Sequence, residues 1–157
     1  MDGLKLVGKF IVSVGVSFAA GGIGSLATVA NIPTWYQALD KPPLLPPNEV
    51  FGPVWSVLYL LMGIALFLVW KQQPKKPGLL YIAFFAQLLL NTIWSLLFFG
   101  LHQPDMGIAI ILVLLGTIVW TIREFARVSK PAAVLLVPYL VWVGFATYLT
   151  IGVAVLN

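Results

Sequence analysis

Five long apolar runs, none of them broken by Asp, Glu, Lys or Arg, decide what this chain can fold into. They extend from Phe10 to Ala30, Val50 to Trp70, Gly78 to Leu101, Met106 to Ile122 and Pro131 to Leu156. A helix rises about 1.5 Å per residue, so roughly 20 residues cross the hydrocarbon core of a bilayer. Each run reads as one transmembrane helix, and the chain as a single domain over residues 1–157. The expected fold is an all-α integral membrane bundle of five helices. With 61% hydrophobic and 9% charged residues, the composition lies far outside the soluble range. The first run is full length and leads into further spans, so it reads as a retained helix and not a cleaved signal.

The basic residues give an orientation. Five crossings put the N-terminus, the second connection and the fourth connection on one side. These segments carry Lys5 and Lys9, then Lys71, Lys75 and Lys76, then Arg123, Arg127 and Lys130, leaving only Lys41 for the other side. That bias predicts a cytoplasmic N-terminus and a C-terminus on the opposite side. The net charge of +4 is therefore a topology signal, and cations dispersed beside three helix ends make a poor nucleic-acid surface. A bacterial cell membrane suits the pattern.

The first connection, residues 31–49, belongs to the longest polar interruption of the chain, "WYQALDKPPLLPPNEVFGPVW" from Trp35 to Trp55. Connections of that length are usually functional lids or linkers. Beneath it, counting along each helix, Trp55, Trp94, Asn91, Tyr148, Ala146 and Trp142 fall between roughly 8 and 21 Å from the loop-side helix ends. All six are expected to converge there. On the third helix Gln87, Asn91, Trp94, Ser95 and Phe98 are three or four positions apart and form one face. Lipid gives the amides of Gln87 and Asn91 no partners, so they must face protein or a cavity. For Asn91, interhelical hydrogen bonding and a ligand-facing role beside Trp94 both stay open.

Two prolines differ in meaning. Pro138 lies inside the fifth helix, cannot donate to the carbonyl of Val134, and would kink the helix so as to widen the space near Trp142. Pro53 falls in the first turn of the second helix, where proline is tolerated. Trp70 and Trp120 sit beside basic residues at helix ends, as an interfacial belt expects. In the first helix small residues recur four apart, Ala20 with Gly24 and Gly21 with Ser25, a pattern that serves either close packing within the bundle or a dimer interface.

Ordinary catalytic sets are missing from the sequence. There is no carboxylate pair within a span, no ligand-spaced cluster for a metal, no phosphate-cradling glycine loop and no serine triad. No ionisable residue interrupts a span as in proton pumps. Cysteine is absent, and the single histidine, His102, reads as a solvated loop residue and not an axial haem ligand. Arg123, Phe125 and Val128 loosely fit a sterol-contact pattern. What remains is an aromatic pocket under a lid, suited to flat hydrophobic ligands with a polar edge.

The stretches "WYQALDKPPLLPPNEVFGPVWSVLYLLMG", "AQLLLNTIWSLLFFG" and "PAAVLLVPYLVWVGFATYL" together resemble the TspO/MBR family, the translocator proteins, peripheral-type benzodiazepine receptors or tryptophan-rich sensory proteins. The resemblance covers essentially the whole chain. It implies a five-helix bundle, commonly a homodimer, whose first loop lids a pocket for porphyrins such as protoporphyrin IX, haem-related tetrapyrroles and hydrophobic drug-like ligands. It implies ligand binding at Trp35, Tyr36, Trp55, Asn91, Trp94, Trp142, Phe145 and Ala146, with no cofactor beyond porphyrin as ligand or substrate, and no metal. The implied role is tetrapyrrole sequestration, sensing or transport. The alternative is light- and oxygen-dependent porphyrin breakdown, in which Trp55 and Trp142 would act catalytically. A sterol or small-metabolite transporter is a further reading, but nothing after Lys130 is basic where the family's sterol-recognition segment needs such a residue, and Thr150 stands where many members have Asn.

Overall fold

The computed structural model describes residues 3–75 and 77–157, and the apolar runs become helices as expected. They are α1 (Gly3–Asn31), α2 (Asn48–Lys71), α3 (Gly78–Ser95), α4 (Pro104–Ala126), α5 (Lys130–Leu135) and α6 (Val137–Leu156). α1 and α3 each end in a π-helical turn, Ile32–Tyr36 and Leu96–Gly100. Counting α5 with α6, five helical spans are long and apolar enough to cross a bilayer. Their side chains turned away from the bundle, such as Leu26, Leu89, Val113 and Val141, are exposed and apolar, as lipid contact requires.

α1 begins at Gly3 and not Phe10, and α4 runs past Ile122 to Ala126, so Lys5, Lys9 and Arg123 lie within helices; two further differences bear on the site. The first helix does not stop at Ala30 but continues through the π turn to Tyr36, so Trp35 and Tyr36 are helical and the irregular lid shrinks to residues 39–47. Pro33 invites a stop because it cannot donate to the carbonyl of Val29. The backbone instead widens into i→i+5 bonding, with the Gln37 N–H reaching the Ile32 carbonyl. The fifth span is not one helix: it breaks at Leu136, two residues before Pro138, in the turn where the missing proline N–H leaves the Val134 carbonyl without its usual donor. Ser129 caps the short α5, its Oγ accepting from the Ala132 N–H at 3.4 Å.

That break sets the shape of the bundle. α1 packs against α2 and α3, and α4 against α3, α5 and α6; α5 leans on α2, whereas α6 stands away from it. The end of the bundle holding Lys5, Lys9, Lys71, Lys75, Arg123, Arg127 and Lys130, hereafter the basic end, is therefore solid; Lys76 lies outside the described residues. Met62, Ala65 and Val69 of α2, Phe84 of α3, Leu114, Ile118 and Phe125 of α4 and Ala132 of α5 are sealed from the surface. Phe84 and Phe125 stack at 5.6 Å. Phe125 is thus a core residue, which removes the aromatic member of the loose sterol pattern from the surface.

Gly21 and Gly24 of α1 serve packing within the bundle, whereas Ser25 lies on its exposed face. A Cβ on Gly24 would stand 3.2 Å from Ser95 Cβ, and one on Gly21 would run into the ring of Tyr59. From the other side, Gly63 of α2 lets the backbone at Val14 approach so closely that a Cβ would lie 2.6 Å from its Cα. Near the basic end Lys9 Nζ sits 5.4 Å from the centroid of the Trp70 ring, a cation over the ring face at an interfacial tryptophan.

Candidate functional site

Above this packed floor, between α1, α2, α3 and α6, lies a cavity of about 540 Å³. Helical spacing places its rings. Trp55 and Tyr59, one turn apart on α2, stack at 5.7 Å; Trp94 and Phe98, one turn apart on α3, stack at 5.7 Å. The two pairs meet across the cavity, with Trp55 and Trp94 centroids 6.5 Å apart. Trp142 of α6 closes a third side and meets the edge of Phe51 at 5.9 Å. Large rings braced in this way prop the helices apart and cannot fold into the space they enclose.

The floor is a polar clamp. Asn91 Oδ1 accepts from the Tyr59 hydroxyl at 2.9 Å, and Asn91 Nδ2 donates to the Tyr139 hydroxyl at 2.9 Å. One buried amide thereby ties α3 to α2 and α6. Of the two roles left open for Asn91, interhelical hydrogen bonding is the one the structure displays, although the residue also lines the cavity. Gln87, one turn deeper, is likewise buried, and its Nε2 reaches the Met62 sulfur at 3.8 Å.

Most polar groups in the walls are satisfied close by. Thr150 Oγ1 donates to the Ala146 carbonyl at 2.8 Å, and the Thr28 and Ser95 hydroxyls pair at 3.2 Å. Two are not: the indole N–H groups of Trp94 and Trp142 are buried and find no acceptor among the described residues. Each such donor costs about 1–3 kcal/mol when left unmade. Both belong to residues that line the cavity, but the nitrogens themselves are occluded by their neighbours, so these residues present ring surface to the space and not their N–H groups.

The roof is strapped to α6. Asn157 brackets the backbone of Asp40, Oδ1 accepting from its N–H at 3.0 Å and Nδ2 donating to its carbonyl at 2.9 Å. The Tyr148 hydroxyl donates to the Pro43 carbonyl at 2.6 Å. Pro42 fills the notch at Gly152, where a Cβ would lie 2.5 Å from Pro42 Cγ. Lys41 Nζ lies 5.2 Å from the centroid of the Tyr36 ring and donates to the Gln37 and Leu39 carbonyls, both at 3.0 Å. Glu49, in the first turn of α2, is the one carboxylate at the cavity among the described residues.

Of the residues expected to surround a ligand, Tyr36, Trp55, Asn91, Trp94, Trp142 and Ala146 line the cavity. Trp35 and Phe145 do not. Trp35 points away and stacks on His102 at 4.4 Å, and His102 Nε2 also pairs with Asn31 Oδ1 at 2.9 Å. The histidine is exposed, as expected of a loop residue, yet it is pinned in a bracket that joins α1 to the turn before α4. Phe145 backs the Trp142 ring from outside at 5.6 Å. Tyr148, expected beneath the loop, clasps it from the side instead. Reading along the sequence missed Tyr59, Tyr139, Phe51 and Asn157. The first two stand four residues after Trp55 and three before Trp142, so helical spacing would have found them.

The chemistry available is ring stacking and enclosure by a strapped lid. Among the described residues no three of His, Asp and Glu come together.

Comparisons with known proteins match this picture along nearly the whole chain. The Tryptophan-rich protein TspO of Archaeoglobus fulgidus is 40% identical over 157 residues, 100% of this chain and 99% of that one. Its namesake from Chlorobaculum tepidum is 43% identical over 148 residues, 92% of each. The human Translocator protein is 39% identical over 118 residues, 73% of this chain and 70% of its own. The sequence model of the TspO/MBR family covers residues 13–156, and this chain, a multi-pass membrane protein, belongs to that family.

Proposed function

We propose that the protein is a membrane receptor for porphyrins, protoporphyrin IX and haem-related tetrapyrroles foremost, and for other flat hydrophobic ligands, acting in their sequestration, sensing or transport. The observation that carries this reading is a cavity of about 540 Å³ walled by braced aromatic rings. A macrocycle offers π faces for Trp55, Trp94 and Phe98, and sites of this volume accept ligands of drug size. Ordering the lid contributes enclosure at small entropic loss, since its prolines, Pro42, Pro43, Pro46 and Pro47, are already restricted.

The test is a dark titration of protoporphyrin IX into detergent-solubilised protein, following tryptophan fluorescence. Saturable quenching is expected from the unmodified chain and its loss from Ala146→Trp, since Ala146 is buried and lines the cavity; equal, non-saturating quenching in both sinks the reading. A second reading, light- and oxygen-dependent porphyrin breakdown, draws on the placement of both Trp55 and Trp142 against the same space. Its signature is a defined oxidation product that disappears in Trp55→Phe or Trp142→Phe.

The clustering of basic residues at one bundle end supports a cytoplasmic N-terminus, with roof and C-terminus on the far side of a bacterial cell membrane. A homodimer completes the proposed assembly.

A further inference from the structure

The cavity has two sides that differ in how they are closed. Toward α6 its roof is held by Asn157, Tyr148 and the Pro42–Gly152 contact. Toward α1 and α2 the lining includes residues on the exposed faces of both helices, Gly22, Ser25 and Val29 on α1 and Gly52 and Ser56 on α2. Below, the two helices touch at Gly63 and Val14 and at Gly21 and Tyr59. Above that point they part, and neither Gly22 nor Gly52 has any atom within 4 Å of where a Cβ would stand. The opening is a slit in the membrane-spanning wall, beside the exposed apolar side chains of Ile23, Leu26 and Leu60.

The slit shows no polar toll to an apolar solute. Ser25 Oγ donates to the Gly22 carbonyl at 2.7 Å and Ser56 Oγ to the Gly52 carbonyl at 2.9 Å, so each hydroxyl along it is satisfied by its own helix. A second groove, between α2 and α6 at Pro53, Val57, Leu61, Val137, Pro138 and Val141, stops against Trp142. The Trp142 ring, backed by Phe51 and Phe145, separates that groove from the cavity.

We infer that ligands load from the bilayer through the α1–α2 slit at Gly22, Ser25, Gly52 and Ser56, while the roof stays strapped to α6. This rests on the binding function proposed above and adds the route. A hydrophobic ligand would be concentrated in the membrane before it meets the protein, and the lid would act as a ceiling.

Because the chain has no cysteine, the two routes can be blocked one at a time. Pro42→Cys with Gly152→Cys locks the roof: a Cβ on Gly152 would stand 2.6 Å from Pro42 Cβ, inside the roughly 3.8 Å that a disulfide spans, so the loop needs to yield by about 1 Å. Gly22→Trp with Ser56→Trp fills the slit. Both proteins and the parent are reconstituted in phosphatidylcholine nanodiscs, protoporphyrin IX is supplied from phosphatidylcholine vesicles, and tryptophan quenching and its reversal give association and dissociation rates. The filled slit is expected to slow both rates by about tenfold or more, equivalent to about 1.4 kcal/mol of barrier, and the oxidised roof to change them by less than about threefold. Slowed release is the informative sign, since a merely damaged site lets go faster. Slowing by the roof disulfide that dithiothreitol reverses, or unchanged or faster release from the filled slit, overturns the inference and leaves the binding function standing. Absence of saturable binding by the parent overturns both.

Discussion

The two ends of this bundle are built from the same five spans and come out opposite, one solid and one hollow. At the basic end side chains pack without gaps against closely approaching backbones, with Gly63 against Val14, with Met62, Ala65 and Val69 fully buried, and with Phe84 stacked on Phe125. At the roof end the inward positions pass to Trp55, Trp94, Phe98 and Trp142, and the break at Leu136 carries α6 away from α2. Hollowness is thus a consequence of rings braced against one another combined with one interrupted helix. The rings that keep the cavity open are the same rings a ligand would touch, so the site is preorganised by its own walls.

The largest expected effect comes from spoiling the solid end. Gly63→Leu forces a side chain into the backbone of α1 and should destabilise the bundle by roughly 3 kcal/mol, seen as a lower thermal midpoint in detergent and read against the parent at equal lipid content. A midpoint within a degree of the parent would mean that the close α1–α2 approach contributes nothing, and the contrast between the ends would lose its basis. Next is the clamp at the boundary. Asn91→Leu strands the hydroxyls of Tyr59 and Tyr139 and should cost about 2 kcal/mol by the scale for unmet buried groups. Hydrogen bonds between membrane helices average nearer 0.6 kcal/mol, so a small loss would show that the two tyrosines find other partners. The smallest effect on stability belongs to the hollow end: Trp94→Phe removes a buried, unpaired donor and should leave stability within about 1 kcal/mol. Porphyrin binding in the same variant should weaken by about tenfold, about 1.4 kcal/mol, as the indole face is replaced by a smaller ring. If it binds as before, the Trp94 ring is not part of recognition.

The bundle was legible in the sequence because hydrocarbon imposes one rule on every span, and five uninterrupted apolar runs obey it. The inward face of α3 was legible for a related reason: amides at Gln87 and Asn91 have only one tolerable direction. What escaped was decided by local backbone choices. The first apolar run ends at Ala30, yet the helix continues through Pro33 in a wider turn, which moves Trp35 and Tyr36 out of the lid. Their sidedness followed, with Tyr36 at the cavity and Trp35 on His102, and no apolar periodicity distinguishes two adjacent aromatics at a helix end. The strap on the roof was illegible for another reason. Asn157 and Tyr148 act on backbone groups of Asp40 and Pro43, more than a hundred positions away, and backbone acceptors leave no mark in a sequence.

The π turns at the ends of α1 and α3 lie side by side, with Tyr36 and Phe99 centroids 5.4 Å apart. A π turn holds one more residue than the α turn it replaces while returning the chain to the same heading. Each helix therefore carries a length adjuster at the level of the roof. A residue gained or lost within Ile32–Tyr36 would change which aromatic faces inward and leave the path of the following chain nearly intact. Variation of that kind would retune what the cavity admits while sparing the solid floor, so that ligand preference and fold can drift independently within one short membrane chain.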